Sequence, residues 1–298
     1  MDILITGTGA LATLFAARLS RAGHQVTLLG SWPAGLEALQ KNGARLIEHD
    51  GSESACAVQA TADPAQCRGA KFALVLVKAW QTARVARQLA ECLSEDGVAL
   101  TLQNGLGNRE TLIAELGDPR VALGVTTSGA TLLGPGLARA GGEGILSVER
   151  HPAIGPLVDA LRSAQFQVEI VAEARSLIWG KLVINAAINP LTALLRVPNG
   201  ELLKRPSAQN LMHALAKETA AVAHAESVPL PFADPAQAAE DVALKTASNH
   251  SSMLQDVLRG APTEIDAICG AIVRYGQKHG VPTPVNQVCW QLIKAISP

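Results

Sequence analysis

Ile3-Leu4-Ile5-Thr6-Gly7-Thr8-Gly9-Ala10-Leu11-Ala12 reads as a strand, a glycine turn and the start of a helix. Residues 3–6 are apolar or β-branched, as suits a strand covered on both faces. From Ala10 to Arg21 apolar residues recur at helical spacing, and residues 25–29 (QVTLL) make the next strand. Strand, helix and strand in that order form a βαβ unit. Gly7, Gly9 and Ala12 occupy the three special positions of G-x-G-x-x-A. Gly7 makes the tight turn, Gly9 lets a pyrophosphate approach the backbone, and Ala12 allows close helix–strand packing. The first amides of the helix then point their positive dipole end at the same spot. The stretch predicts a nucleotide-binding loop.

Alternation continues outward. Residues 72–77 (FALVLV) are a continuous apolar strand, 81–92 are helical, 98–102 (VALTL) a strand and 109–116 a helix. Strands separated by crossover helices predict a parallel, doubly wound sheet of Rossmann type, hence an α/β fold. The glycine-rich stretch 134–144, followed by Ile145-Leu146-Ser147-Val148, reads as a hairpin at the sheet's far edge. After residue 171 the pattern changes to long helical periods: 173–196, 207–227, 235–247, 252–259, 263–280 and 283–296. Pro and Gly punctuate them. Two domains are expected, 1–171 binding the nucleotide and 172–298 all-helical and carrying substrate and catalysis.

Composition narrows the function classes. The 298 residues carry 25 Lys+Arg against 26 Asp+Glu, are 48% apolar and only 3% aromatic, and hold no basic block. Neither nucleic acid nor a membrane surface is an expected partner. Met1-Asp2 runs straight into the first strand, so no signal peptide is expected, and no run approaches ~18 apolar residues. Five scattered cysteines (Cys56, Cys67, Cys92, Cys269, Cys289) read as reduced thiols of a cytoplasmic protein, and the dispersed histidines give no metal site.

Four places carry chemistry. A Rossmann site selective for NAD ends its second strand in an acid, whereas here Gly30-Ser31-Trp32-Pro33 follows. Without a carboxylate to repel a 2′-phosphate, and with Ser31 able to donate to it, NADP(H) is favoured and NAD(H) stays open. Lys78 and Asn104 follow two sheet strands, where open α/β sheets bind ligands. Lys181, Asn185 and Asn189, spaced i, i+4, i+8, share one face of an apolar helix, and a buried lysine is costly unless paired or functional. Pro190 should bend that helix. Ser251 or Ser252 reads as a helix N-cap, and Thr263-Glu264-Ile265-Asp266 as the opening of the next helix.

The segments GTGALA, VKAWQ, QNGLG, GKLVINAAINPLTALLRVPNGEL, SSMLQDVLRG and PTEID, in this order, resemble ketopantoate reductase (2-dehydropantoate 2-reductase) over nearly the whole chain. The resemblance implies NADPH-dependent reduction of 2-dehydropantoate to (R)-pantoate, on the route to pantothenate and coenzyme A. Lys181 then matches the general acid. Glu264 matches the acidic residue touching lysine, cofactor ribose or substrate hydroxyl. Asn185, Asn189, Asn199 and Ser252 match substrate contacts, and Asn104 matches the cofactor–substrate junction. The loop Gly7, Thr8, Gly9, Ala10, Leu11 and Ala12, with Lys78 and the backbone of Ala130, matches cofactor contacts. The family's usual basic residue for the 2′-phosphate falls at Ser31, a departure that bears on cofactor preference. A 2-oxo acid is the implied partner, and a homodimer is left open. The rival readings are a paralogous reductase of another 2-oxo or hydroxy acid, and a non-catalytic nucleotide-binding regulator.

Overall fold

A computed structural model describes residues 1–297 and divides them into two compact units. The first comprises Met1–Gln103 with Asn108–Ala174, and the second Asn104–Gly107 with the chain from Arg175 onward. In chain order the first unit contains β1 (Asp2–Thr6), α1 (Ala10–Arg21), β2 (Gln25–Leu29), α2 (Pro33–Asn42), β3 (Ala44–Ile47), β4 (Glu53–Cys56) and β5 (Gln59–Thr61). It continues with β6 (Ala70–Val75), α3 (Thr82–Cys92), β7 (Leu93–Thr101), α4 (Asn108–Leu116) and β8 (Val121–Thr126). It closes with β9 (Ala130–Gly134), β10 (Leu137–Ala140), β11 (Ile145–Glu149), α5 (Gly155–Ser163) and β12 (Gln167–Val171).

The main sheet has the order β12-β11-β8-β7-β6-β1-β2-β5. Its strands from β8 to β5 are parallel, as the alternation predicts, while β11 runs antiparallel to β8 and parallel to β12. Period-2 side chains build a core on each face. Ile3, Ile5, Leu74, Val98 and Leu100 join the core containing α1 and α5. Leu4, Ala73, Val75 and Ala99 join the one containing α3 and α4. Phe15 of α1 stacks on Phe166 at 4.3 Å between ring centroids. Truncating such a core aromatic typically costs about 3–5 kcal/mol.

The expected far-edge hairpin is corrected. β9 and β10 do form a hairpin, but within a separate four-stranded sheet of order β4-β3-β10-β9, while residues 145–149 lie in the main sheet as β11. This second sheet packs on α1, putting Ala44, Leu46, Ala138 and Ala140 into the same core. Helix α1 is therefore covered on both sides, which explains why seven of its twelve residues are buried and why so many are alanine.

The second unit contains α6 (Arg175–Leu195), α7 (Pro206–Ala225), α8 (Pro235–Lys245), α9 (Ser252–Leu258), α10 (Cys269–His279) and α11 (Pro284–Ile296). Helix α6 is its axis and packs on α7, α8, α9 and α11. Leu182, Val183, Ala186, Ala187 and Leu191 supply its share of the core. By length and composition α6 passes for a membrane span, but 67% of its most apolar window is buried, as in a core helix. The helix runs through Pro190 without interruption. Residues 263–266 do not open a helix as expected: they form an irregular turn, and α10 starts only at Cys269.

Candidate active site

In the first unit the candidate nucleotide loop presents backbone. Gly7 sits at φ +115°, a conformation that L side chains rarely adopt, and its N–H donates to Leu29 O at 2.8 Å. Gly9 caps α1 in extended conformation with no side-chain cap, so the first amides of the helix keep their donors. A Cβ built on Gly9 would meet no protein atom within 4 Å. Protein packing therefore does not demand glycine there, and the open space fits a pyrophosphate lying against the backbone. Ala12 and Thr8 are buried behind the loop. Ala10 and Leu11 form the first turn of α1.

The other residues expected at the cofactor lie after successive strands of the same sheet. Ser31 is exposed just past β2, and Lys78, partly buried, heads the 3₁₀ turn Ala79–Gln81 after β6. Ala130 opens β9, paired with Ala140 on the second sheet, a few residues past the end of β8. The order β2-β1-β6 puts the glycine loop where the winding of the sheet reverses, the place where doubly wound folds bind ligands.

A polar network that sequence reasoning passed over braces these loops. The Gln103 amide donates to Val77 O at 3.0 Å and to Thr82 Oγ1 at 2.8 Å, while its Oε1 accepts from Thr101 Oγ1 at 3.0 Å. The Thr82 hydroxyl in turn faces Asn108 Oδ1 at 2.9 Å and Ala79 O at 2.8 Å. One carboxamide thus ties the end of β7 to the peptide just before Lys78. Gln103 immediately precedes Asn104, and that adjacency is the one signal the sequence offered.

The second unit holds the candidate catalytic pair Lys181 and Glu264. Lys181, Asn185 and Asn189 lie on α6, with Lys181 and Asn185 partly buried and Asn189 buried. Gly180 beside the lysine admits a neighbouring segment, since a Cβ there would stand 2.7 Å from Pro231 Cγ. Burial pulls the Lys181 ammonium down from its ordinary 10.5 to about 8, against the raising effect of the Glu264 carboxylate. Glu264 is buried in the turn before α10 and accepts a long bond, 3.4 Å, from Asn104 Nδ2.

The loop carrying Asn104 is locked to that turn. Leu106 N donates to Ala267 O at 3.0 Å, and Gly105, at φ +81°, passes so close that a Cβ would stand 2.5 Å from the same oxygen. Lys181, Glu264 and Asn104 are thereby brought together from three distant parts of the chain.

Of the two serines, Ser251 is the cap. Its buried hydroxyl accepts from Leu254 N at 3.1 Å and lies 2.7 Å from Thr192 Oγ1, which ties α9 to α6. Ser252 is exposed in the first turn of α9. Asn199 is buried and donates through Nδ2 to Thr246 at 2.9 Å, while its Oδ1 is buried with no hydrogen-bond partner, an acceptor unsatisfied by protein. Burial makes two of the thiols poor nucleophiles, pushing Cys92 up to about 12 and Cys289 up to about 11.

Comparison with known proteins adds to this geometry. Residues 3–153 match the family model described as ketopantoate reductase PanE/ApbA, and residues 173–297 match its C-terminal model. A 2-dehydropantoate 2-reductase of Archaeoglobus fulgidus is 37% identical, covering 99% of this chain and 97% of its own. Among solved structures, a PanE/ApbA family ketopantoate reductase from Ralstonia eutropha JMP134 superposes with a TM-score of 0.93 at 34% identity, over 99% of this chain and 98% of that one. A ternary structure of D-mandelate dehydrogenase with NADH and anilino(oxo)acetate gives the same TM-score at 25% identity and the same coverage.

Proposed function

The chain belongs to the ketopantoate reductase family PanE/ApbA, and on that premise we propose that it reduces 2-dehydropantoate to (R)-pantoate with NADPH, using Lys181 as general acid. It is an oxidoreductase acting on a CH–OH group, and its cofactor is a nicotinamide nucleotide. The observation that carries the finer reading is the Lys181–Glu264 pair with Asn104: a lysine perturbed by burial, a buried carboxylate and an amide, gathered in one place.

Residues 7–12, Ser31, Lys78 and Ala130 would hold the nucleotide, with the amides at the head of α1 receiving its pyrophosphate. When bound, the nicotinamide supplies a hydride to the ketone carbon. Negative charge then builds on the carbonyl oxygen, and the Lys181 ammonium stabilises it and gives up its proton there. A pKa near 8 keeps the group mostly charged at neutral pH while making it a better acid than an exposed lysine. Glu264 holds the ammonium charged and orients it. Asn185, Asn189, Asn199 and Ser252 are assigned to the carboxylate and hydroxyl of the acid, and the unsatisfied Asn199 Oδ1 supports a hydroxyl donor from the ligand. A site that pairs a substrate hydroxyl discriminates strongly against analogues lacking it. The cytoplasm is the proposed compartment, and pantothenate and coenzyme A synthesis the proposed context.

Initial rates with 2-dehydropantoate, against NADPH and NADH at equal concentration, test the proposal. Turnover with NADPH is expected. Absence of turnover alongside fast reduction of another 2-oxo acid would overturn the substrate. The D-mandelate dehydrogenase likeness and the missing basic residue at position 31 favour one second reading, an NADH-dependent reductase of aryl 2-oxo acids. Phenylglyoxylate with NADH in the same assay decides between them.

A further inference from the structure

The segment after β2 is tightly applied to the glycine loop. Gly7 N donates to Leu29 O at 2.8 Å, Gly30 N donates to Thr61 O at 3.0 Å, and a Cβ on Gly30 would stand 2.6 Å from Thr8 Cγ2. Whatever leaves the loop along the strand ends therefore passes Gly30 and meets Ser31 and Trp32, both exposed. Neither side chain is charged. The first acidic residue beyond β2 is Glu37, in the second turn of α2 and exposed.

An aromatic surface is there instead. Trp32 is 38% exposed in a chain with only nine aromatic residues, four of them tryptophan. It takes the N-cap position of α2 in extended conformation and makes no side-chain cap, so it is not there to end the helix. Its carbonyl accepts from Leu36 N at 3.0 Å, which anchors the backbone. Gly35, buried one turn on, makes room for the ring: a Cβ there would overlap Trp32 Cε3 and stand 3.0 Å from Cδ2 and 3.1 Å from Cζ3. The indole is thus seated on the first turn of α2 at one side and left to solvent elsewhere. A pre-positioned, solvent-facing indole beside a phosphate loop is a stacking platform for a flat heterocycle.

We propose that Trp32 is the adenine platform of this protein, and that the adenosine half of the dinucleotide is held by stacking rather than by a charge at the end of β2. This inference rests on the nucleotide reading above and is independent of which oxo acid is reduced. Stacking energy belongs to the base, so it is common to NADP(H) and NAD(H), and Ser31 is the one side chain left at the segment to favour a 2′-phosphate.

ADP-ribose, which lacks the nicotinamide, is the probe. Calorimetric titration of the full chain is expected to show Trp32→Ala binding it roughly ten- to a hundredfold more weakly than wild type, as for removal of one base–aromatic stack. Trp32→Phe keeps affinity within about threefold, because a phenyl ring still stacks. ADP-ribose is expected to quench tryptophan emission in wild type, and that quenching to disappear in Trp32→Phe, whatever the affinity. Wild-type affinity in Trp32→Ala, or undiminished quenching in Trp32→Phe, would overturn the proposal. Wild type binding ADP-ribose while failing to reduce 2-dehydropantoate removes the substrate assignment and leaves the platform supported. Wild type that binds no ADP-ribose overturns the platform and leaves the substrate assignment to the rate assay.

Discussion

The two units present their chemistry in opposite ways. In the α/β unit the decisive residues matter for what they lack: Gly9 has no Cβ to occupy the open space at the head of α1, and the end of β2 has no carboxylate. These features sit within about 30 residues of one another, because a strand, a turn and a helix assemble a phosphate site locally. In the helical unit the decisive residues matter for what they carry. They also come from afar, with Asn104 and Glu264 separated by 160 positions yet hydrogen-bonded. A site made of backbone is written in short motifs, whereas one made of charged side chains needs the fold before its members can be grouped.

The contrast breaks if side-chain loss and backbone crowding have the same effect. Lys181→Ala should lower kcat by about a thousandfold, the scale of a lost general acid, with the dissociation constant for NADPH kept within about threefold. Gly9→Val should do the reverse. The extended backbone at position 9 accepts valine and no protein atom is in its way, so the thermal midpoint stays put while cofactor binding weakens by roughly a hundredfold. Equal losses of kcat in both variants would erase the distinction.

The brace between strand ends sharpens it further. Gln103→Leu removes two donated bonds and should raise the KM for NADPH about tenfold, the worth of one or two net hydrogen bonds, with a smaller change in kcat. Thr82→Val should produce the same pattern, and the double variant should fall short of additivity because both act through one network. Additive losses would show that the network does not act as a unit.

The smallest effects are in pH dependence. With the Lys181 pKa at about 8, the rate of reduction should be level below that value and fall above it, and Glu264→Gln should move the break to lower pH. Stability has the opposite slope. Between about 8 and 10.5 the unfolded chain holds a proton that the folded chain has released, so unfolding free energy rises with pH, and Lys181→Met should flatten that rise. Denaturant titrations across this window check it.

Much of this was legible before the fold was known. The glycine loop, the parallel strands and the i, i+4, i+8 face of α6 follow from spacing alone, because each is set by the geometry of one element. The second sheet was not, since its strands are short and polar on their outer sides: Glu53 to Cys56 shows no apolar run. The apolar character of α1 all round was the available sign that something had to cover its far side. The turn at 263–266 was misread as a helix start because Thr-x-x-Asp has a capping pattern that tertiary contacts with residues 105–106 override. Ser251 and Ser252 could not be ranked until Thr192 was seen beside one of them. Trp32 carried no motif at all.

The excursion of Asn104–Gly107 into the helical unit bears on how such chains can be recombined. A chimera joining the first half of one relative to the second half of another at a cut near residue 174 would import an Asn104 loop shaped for a different turn. A mismatch at Gly105 of even one methyl group would press on Ala267, next to the turn that carries Glu264. The exchangeable module is therefore discontinuous in the gene: four codons from the middle of the α/β half must travel with the helical half for the swap to keep its geometry.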